Sequence, residues 1–129
     1  MGYFIQPILT DKASSETALA IQNREPLVFT RIALGSGRHR TDAGKKNDVA
    51  QVVHSLQVAQ SISTETADTI RIVAQLDNSR IVREMIVNEI GVFAKRGNHE
   101  EFMYMYTWAE QGDVIPPKTS AYVYRDYDF

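Results

Sequence analysis

The run Thr69-Ile70-Arg71-Ile72-Val73-Ala74-Gln75-Leu76-Asp77 constrains the fold more than any other stretch, because its apolar residues recur at every second position. Ile70, Ile72, Ala74 and Leu76 then face one way and Thr69, Arg71 and Gln75 the other, as in an antiparallel sheet with one wetter face. Residues 85–95 are apolar almost without interruption and predict a central strand covered on both sides. Arg96-Gly97-Asn98-His99 leads from it into residues 102–108, so the two segments read as a hairpin. Alternation in the second arm places Phe102, Tyr104, Tyr106 and Trp108 on one face and Met103 and Met105 on the other. Residues 27–34 form a further strand of period two, with Val28, Thr30, Ile32 and Leu34 on one side, closed by Gly35-Ser36-Gly37. Asp77-Asn78-Ser79 reads as a turn, Glu110-Gln111-Gly112-Asp113 and Pro116-Pro117 as breaks, and residues 120–127 resume strand character.

One segment carries helical spacing instead. Thr10 is placed to cap a helix over residues 11–23, Asp11 suits the positive end of its dipole, and Ala13, Thr17, Ala20 and Ile21 fall on one stripe. Residues 35–48, with Arg38, His39, Arg40, Asp42, Lys45 and Lys46, contain no apolar side chain larger than alanine and predict an exposed loop. Residues 49–56 fit either a helical turn or the lead-in to the next strand. The fold class that follows is α+β, mainly antiparallel β-sheet with a short N-terminal helix packed on it, in a single domain spanning 1–129.

Composition narrows the chemistry. The 129 residues include no cysteine, which removes thiolate nucleophiles, CxxC redox chemistry and cysteine-ligated zinc. A formal net charge of −2 gives no overall field to attract nucleic acid. No apolar run approaches the ~20 residues that span a bilayer, and the N-terminus lacks the regions of a secretion signal. The expectation is a chain that is soluble where it is made, with no membrane insertion and no nucleic-acid partner.

No catalytic constellation emerges from the spacing. His39, His54 and His99 are far apart and in no metal-ligand pattern, so neither metal nor cofactor is expected. Gly35-Ser36-Gly37 is not a nucleophile elbow and reads as a turn. Glu89, between Asn88 and Ile90 in an apolar strand, is either on a wet face or a buried acid held by a cation such as Arg31 or Arg83. The Arg38-His39-Arg40 cluster with Lys45 and Lys46 is either a solvated loop or a contact for phosphate or an acidic surface. Tyr and Trp are enriched at interfaces, so the aromatic strand supplies candidate partner contacts. The residues thus favour a binding or structural module over an enzyme.

Residues 29–37 (FTRIALGSG), 52–56 (VVHSL), 69–76, 88–94 (NEIGVFA) and 104–117 (YMYTWAEQGDVIPP), in that order, make a pattern. It resembles the phage tail-collar fibre protein family, the N-terminal module of tail fibres in contractile-tailed phages and tail-like bacteriocins, over nearly the whole chain from Ile8. The resemblance implies a non-enzymatic virion protein that fastens a fibre to baseplate proteins and supports host adsorption, within a fibre that associates as a trimer. Tyr104, Tyr106 and Trp108 are then expected as partner anchors, with Arg38, His39 and Arg40 in a charged rim. Gly35, Gly37, Gly91 and Phe93 serve backbone geometry and packing, and Glu89 an ion pair between strands or between strand and loop. Because residue 129 falls in a strand-like run, the chain is expected to be a portion of a longer fibre or a short baseplate component without a shaft. Two other classes compete: a carbohydrate-binding module stacking sugars on the aromatics, and a glycan hydrolase using a pair among Glu84, Glu89, Glu100 and Glu101.

Overall fold

Two long strands organise the chain: β6 (Met85–Arg96) and β7 (Phe102–Ile115), joined by a turn in which Gly97 takes φ +53°. The computed structural model describes residue 4 and residues 7–57, 60–63, 70–77, 81, 83–117 and 124–128. Around the hairpin, β1 (Ile8–Leu9), β2 (Leu27–Gly35) and β3 (Val52–Gln57) complete a five-stranded sheet in the order β1-β7-β6-β2-β3. A second sheet holds β4 (Gln60–Ser63), β5 (Ile70–Asp77) and β8 (Tyr124–Asp128) in the order β4-β5-β8. Every pairing is antiparallel. The protein is therefore α+β and mainly antiparallel sheet, with its helix α1 (Asp11–Asn23) laid against β7 and β6.

Helix α1 starts where the sequence provides a cap. Thr10 is extended, accepts the Ala13 N–H on its Oγ1 at 3.1 Å, and donates the same hydroxyl to the Met103 carbonyl, so one side chain both caps the helix and ties it to β7. It ends at Arg24, a left-handed residue at φ 53°, and the Glu25 N–H returns to the Ala20 carbonyl at 2.9 Å. Ala13 and Ala20 are buried, as their small size permits. Ile21 is 75% exposed, so the expected stripe is narrower than its spacing implied.

Strand alternation gives the large sheet two apolar faces. Ile32, Leu34, Val87, Ile90 and Val92 gather with Leu76 of β5, Ile81 and Ile115 on one side. Ala33, Phe93, Met103 and Tyr106 gather with Val49 on the other. β6 contributes to both, which is why its sequence is apolar almost throughout.

Bulges break the alternation that the sequence suggested. Across Val92 and Phe93 of β6 the β7 partners jump from Met105 to Met103, leaving Tyr104 as an extra residue. One extra residue reverses every side chain beyond it. Phe102 thus pairs with Ala94, while Met103 joins Tyr106 on the face of Phe93, and Met105 packs on the opposite core. The expected segregation of four aromatics from two methionines does not occur. Thr30 is a similar extra residue in β2, which separates exposed Val28 from Ile32 and Leu34. The expected break at 110–113 appears as an interruption of the ladder rather than as an end of the strand: β7 continues to Ile115, but across Val87 and Glu89 its partners jump from Asp113 to Trp108, leaving residues 109–112 outside the register with β6. Gly112 fits there because a Cβ on it would lie 2.1 Å from Asn88 Oδ1. Residues 49–51 prove to be the lead-in to β3. The predicted turn at 78–79 and the start of the last predicted strand, 120–123, lie outside the described residues, as do the side-chain orientations expected for β5, apart from buried Leu76.

Candidate functional site

Three of the five pieces that carry the resemblance, residues 29–37, 88–94 and 104–117, meet at one buried carboxylate. Glu89 lies in β6 between Gly35 of β2 and Trp108 of β7, and its side chain is fully buried. It lies across Gly35, where a Cβ would stand 2.3 Å from Oε2, so only glycine leaves it room. Oε2 accepts the N–H of Gly37 at 3.1 Å and of Gln51 at 2.9 Å. Oε1 accepts the N–H of Ala50 at 2.8 Å and the hydroxyl of Tyr106 at 2.7 Å. Four donors thus fill the lone-pair sites of one carboxylate.

This corrects the expectation of an ion pair. Among the described residues, the partners of Glu89 are backbone amides and a phenol, with no cation. Arg31 is engaged elsewhere: its Nε donates to Glu101 at 2.8 Å and its guanidinium carbon lies 3.8 Å from the centre of the Phe93 ring. The physical reason is the loop. Residues 36–51 fold back over this face of the sheet and bring amide groups from both of their ends to the acid, which makes a cation unnecessary. The loop is also tied to β7, because Asn47 Oδ1 accepts the Met103 N–H at 3.0 Å and Val49 inserts into the core beside Phe93. Residues 40–42 and 45–48 are exposed, as the polar composition suggested, whereas residues 35–39 are buried or half-buried.

Tyr106 completes the arrangement. Its hydroxyl donates to Glu89 and accepts the His39 N–H at 2.9 Å. Burial and the hydrogen bond to Glu89 hold its pKa well above the ordinary phenol value. With no exposed surface, Tyr106 is not available to a partner as an anchor, contrary to expectation; the β7 register turns it toward Gly91 and the loop. Tyr104 is half-buried and meets Phe29 edge-on at 5.0 Å, beside Leu9, Ala13 and Thr17. Trp108 is half-buried, and the Arg38 guanidinium lies 3.3 Å from the centre of its ring. That cation covers the face a sugar would need for stacking on Trp108.

The charged cluster does not act as one unit. Arg38 pairs with Glu110 at 3.2 Å, His39 Nε2 meets the Asp48 carbonyl, and Arg40 is exposed with no partner among the described residues. Arg38 and Arg40 line a cleft of about 270 Å³ with Ser36, Asn88, Ala109 and Glu110. The sequence reading missed Asn88, whose amide donates to the Ser36 carbonyl at 2.8 Å, and Glu110; an asparagine beside a glutamate in an apolar strand was the available signal.

The three histidines stay apart. His99 lies 3.0 Å from Glu25 at the far end of the hairpin, and His54 lines an open cleft of about 490 Å³ with Arg83, Glu84 and Met85. Among the described residues no three His, Asp or Glu side chains are placed to hold a metal ion, and no helix is long and apolar enough to cross a membrane. Of the carboxylates weighed for hydrolysis, Glu89 is caged and Glu101 is held by Thr30 and Arg31. No protein-family model, curated protein or solved structure matches the chain.

Proposed function

We propose that the chain is a non-catalytic attachment module of a contractile phage tail or tail-like bacteriocin, holding a fibre to baseplate proteins. The observation that carries this reading is the Glu89 cage. The FTRIALGSG, NEIGVFA and YMYTW pieces behind the resemblance supply, respectively, Gly35 and Gly37, Glu89, and Tyr106 to that single point. Strands and loop that converge on one filled acid build rigidity, and a rigid sheet domain is what attachment asks for, since a preorganised surface loses little entropy on docking. An acid with all its acceptor sites filled by its own chain offers a substrate nothing to bind.

In this reading the partners are ring-forming baseplate proteins of the same particle, the fibre that follows associates as a trimer, and the module resides in the virion or tail-like particle. Trp108 and Tyr104, rather than Tyr106, are the aromatics left for partner contact. The test is the position of the chain in intact particles imaged by electron cryomicroscopy. Density at the baseplate, touching ring proteins, supports attachment; particles whose baseplates lack the chain sink it. Trp108→Ala is expected to lower incorporation while the isolated domain keeps its melting temperature within a few degrees.

A further inference from the structure

The cleft beside Trp108 has features that the Glu89 cage does not account for. Arg38 sits over the indole, its guanidinium carbon 3.3 Å from the ring centre, and carries one acceptor among the described residues, Glu110, through a single 3.2 Å contact from Nη1. Its Nε is shielded from solvent and donates to no group among the described residues. A guanidinium has five N–H donors in a planar fork, so most of its capacity is unused. Glu110 is a weak holder, for its side chain is 79% exposed and such surface pairs contribute little. Arg40 lines the same cleft with no partner among the described residues. Two guanidinium groups therefore face one loosely attached carboxylate, on a chain whose overall charge is negative.

The geometry points to this cleft as a binding site for a carboxylate presented by an acidic side chain of a partner protein, which displaces Glu110 from Arg38. Stacking on Trp108 fixes the plane of the fork and lowers the ordering cost of a bidentate contact, and Arg40 adds a second charge from the loop. The loop backbone beneath both arginines is fixed by Glu89 through Gly37, and Asn88 holds the Ser36 carbonyl, so the site is preformed. A carboxylate suits it better than a phosphate dianion. Arg38 already holds a carboxylate, and Glu110, still at the rim after displacement, opposes a second negative charge. This identification of the occupant deepens the attachment reading and rests on it; the anion site itself does not.

Trp108 is the sole tryptophan of the chain, so its fluorescence reports on the cleft directly. The experiment titrates the full chain with an acetylated, amidated tetraglutamate peptide at low salt. A saturable change in Trp108 emission is expected. Arg38→Gln should abolish it, and Arg40→Gln should weaken binding about fivefold, the loss of one exposed charge contact. Glu110→Gln should tighten binding about fivefold because the internal competitor is gone, whereas Glu100→Gln and Lys12→Gln, which alter charge elsewhere, should leave it unchanged. If Arg38→Gln unfolds the loop, Arg40→Gln and Glu110→Gln decide the matter. No saturable signal, weaker binding in Glu110→Gln, or equal losses in Lys12→Gln would overturn the site. Inorganic phosphate binding more tightly than the peptide would overturn the carboxylate assignment. A chain that binds the peptide by this pattern but is missing from baseplates leaves the site standing and removes the attachment reading.

Discussion

Loop 36–51 and helix α1 lie side by side along β7, yet opposite means fasten them. The loop is fixed from below by a fully buried acid whose partners are mostly backbone amides. The helix is fixed by its buried cap on Met103 and by Arg96, itself buried, whose Nε meets Glu16 at 2.7 Å and whose Nη1 meets Glu25, two acids partly open to water. The difference lies in what a broken contact leaves behind. Water can reach the Glu16 and Glu25 carboxylates when Arg96 is lost, but it cannot reach amides that have lost a buried acceptor. The loop should therefore fail abruptly and the helix gradually.

The severest test of that contrast is Glu89→Gln. The substitution keeps the shape but turns an NH2 group toward amide donors, so a loss of about 3–5 kcal/mol is expected, the cost of breaking a buried charged network. At about 4 °C per kcal/mol for a domain of this size, differential scanning calorimetry should register it plainly. A melting temperature within 2 °C of wild type would show the cage to be dispensable.

Gly35→Ala comes next, at about 2–3 kcal/mol, because its methyl group meets a carboxylate that cannot move aside. Its cost should shrink in an Glu89→Ala background, and a double-mutant cycle measures the coupling. Additive losses would mean that the two residues act separately.

Tyr106→Phe should cost about 1–2 kcal/mol, since both the donor to Glu89 and the acceptor of the His39 amide disappear. Tyr106 also sets a pH signature. Its folded pKa stands above the unfolded value of about 10, so the associated stability is complete below that pH and declines as pH rises beyond it. Urea midpoints at alkaline pH should fall in wild type and fall less in Tyr106→Phe.

The smallest effect belongs to Arg96→Gln. Burial alone would raise the Glu25 carboxyl, but the hydrogen bond and charge of Arg96, with a contribution from His99, hold it below its ordinary value. That stability is present above the usual carboxylate range and is lost as pH falls through the lowered folded value. The variant should lose this acid slope in circular dichroism melts and show little salt dependence at neutral pH. A loss as large as that of Glu89→Gln would erase the distinction between loop and helix.

Helix α1 and the hairpin were legible because their signals are periodic and local: Thr10 before alanines at helical spacing, and residues 85–95 running apolar. The bulges were not legible, because an extra residue such as Tyr104 changes register without changing composition. Glu89 stood out as an acid among apolar neighbours, but its partners did not. Every residue has an amide, so Gly37, Ala50 and Gln51 leave no side-chain trace of their role. The covering of Trp108 by Arg38 depends on that folded loop and was hidden for the same reason.

Because one carboxylate clasps both the entrance and the exit of the loop, the sheet senses chiefly where residues 37–39 and 49–51 meet. Between those ends the strap is pinned again, by Ala43 resting on the core and by Asn47 holding the Met103 amide. Exposed Thr41 and Lys46 lie off the pins, so their lettering can drift, or be exchanged by design, while the buckle stays closed.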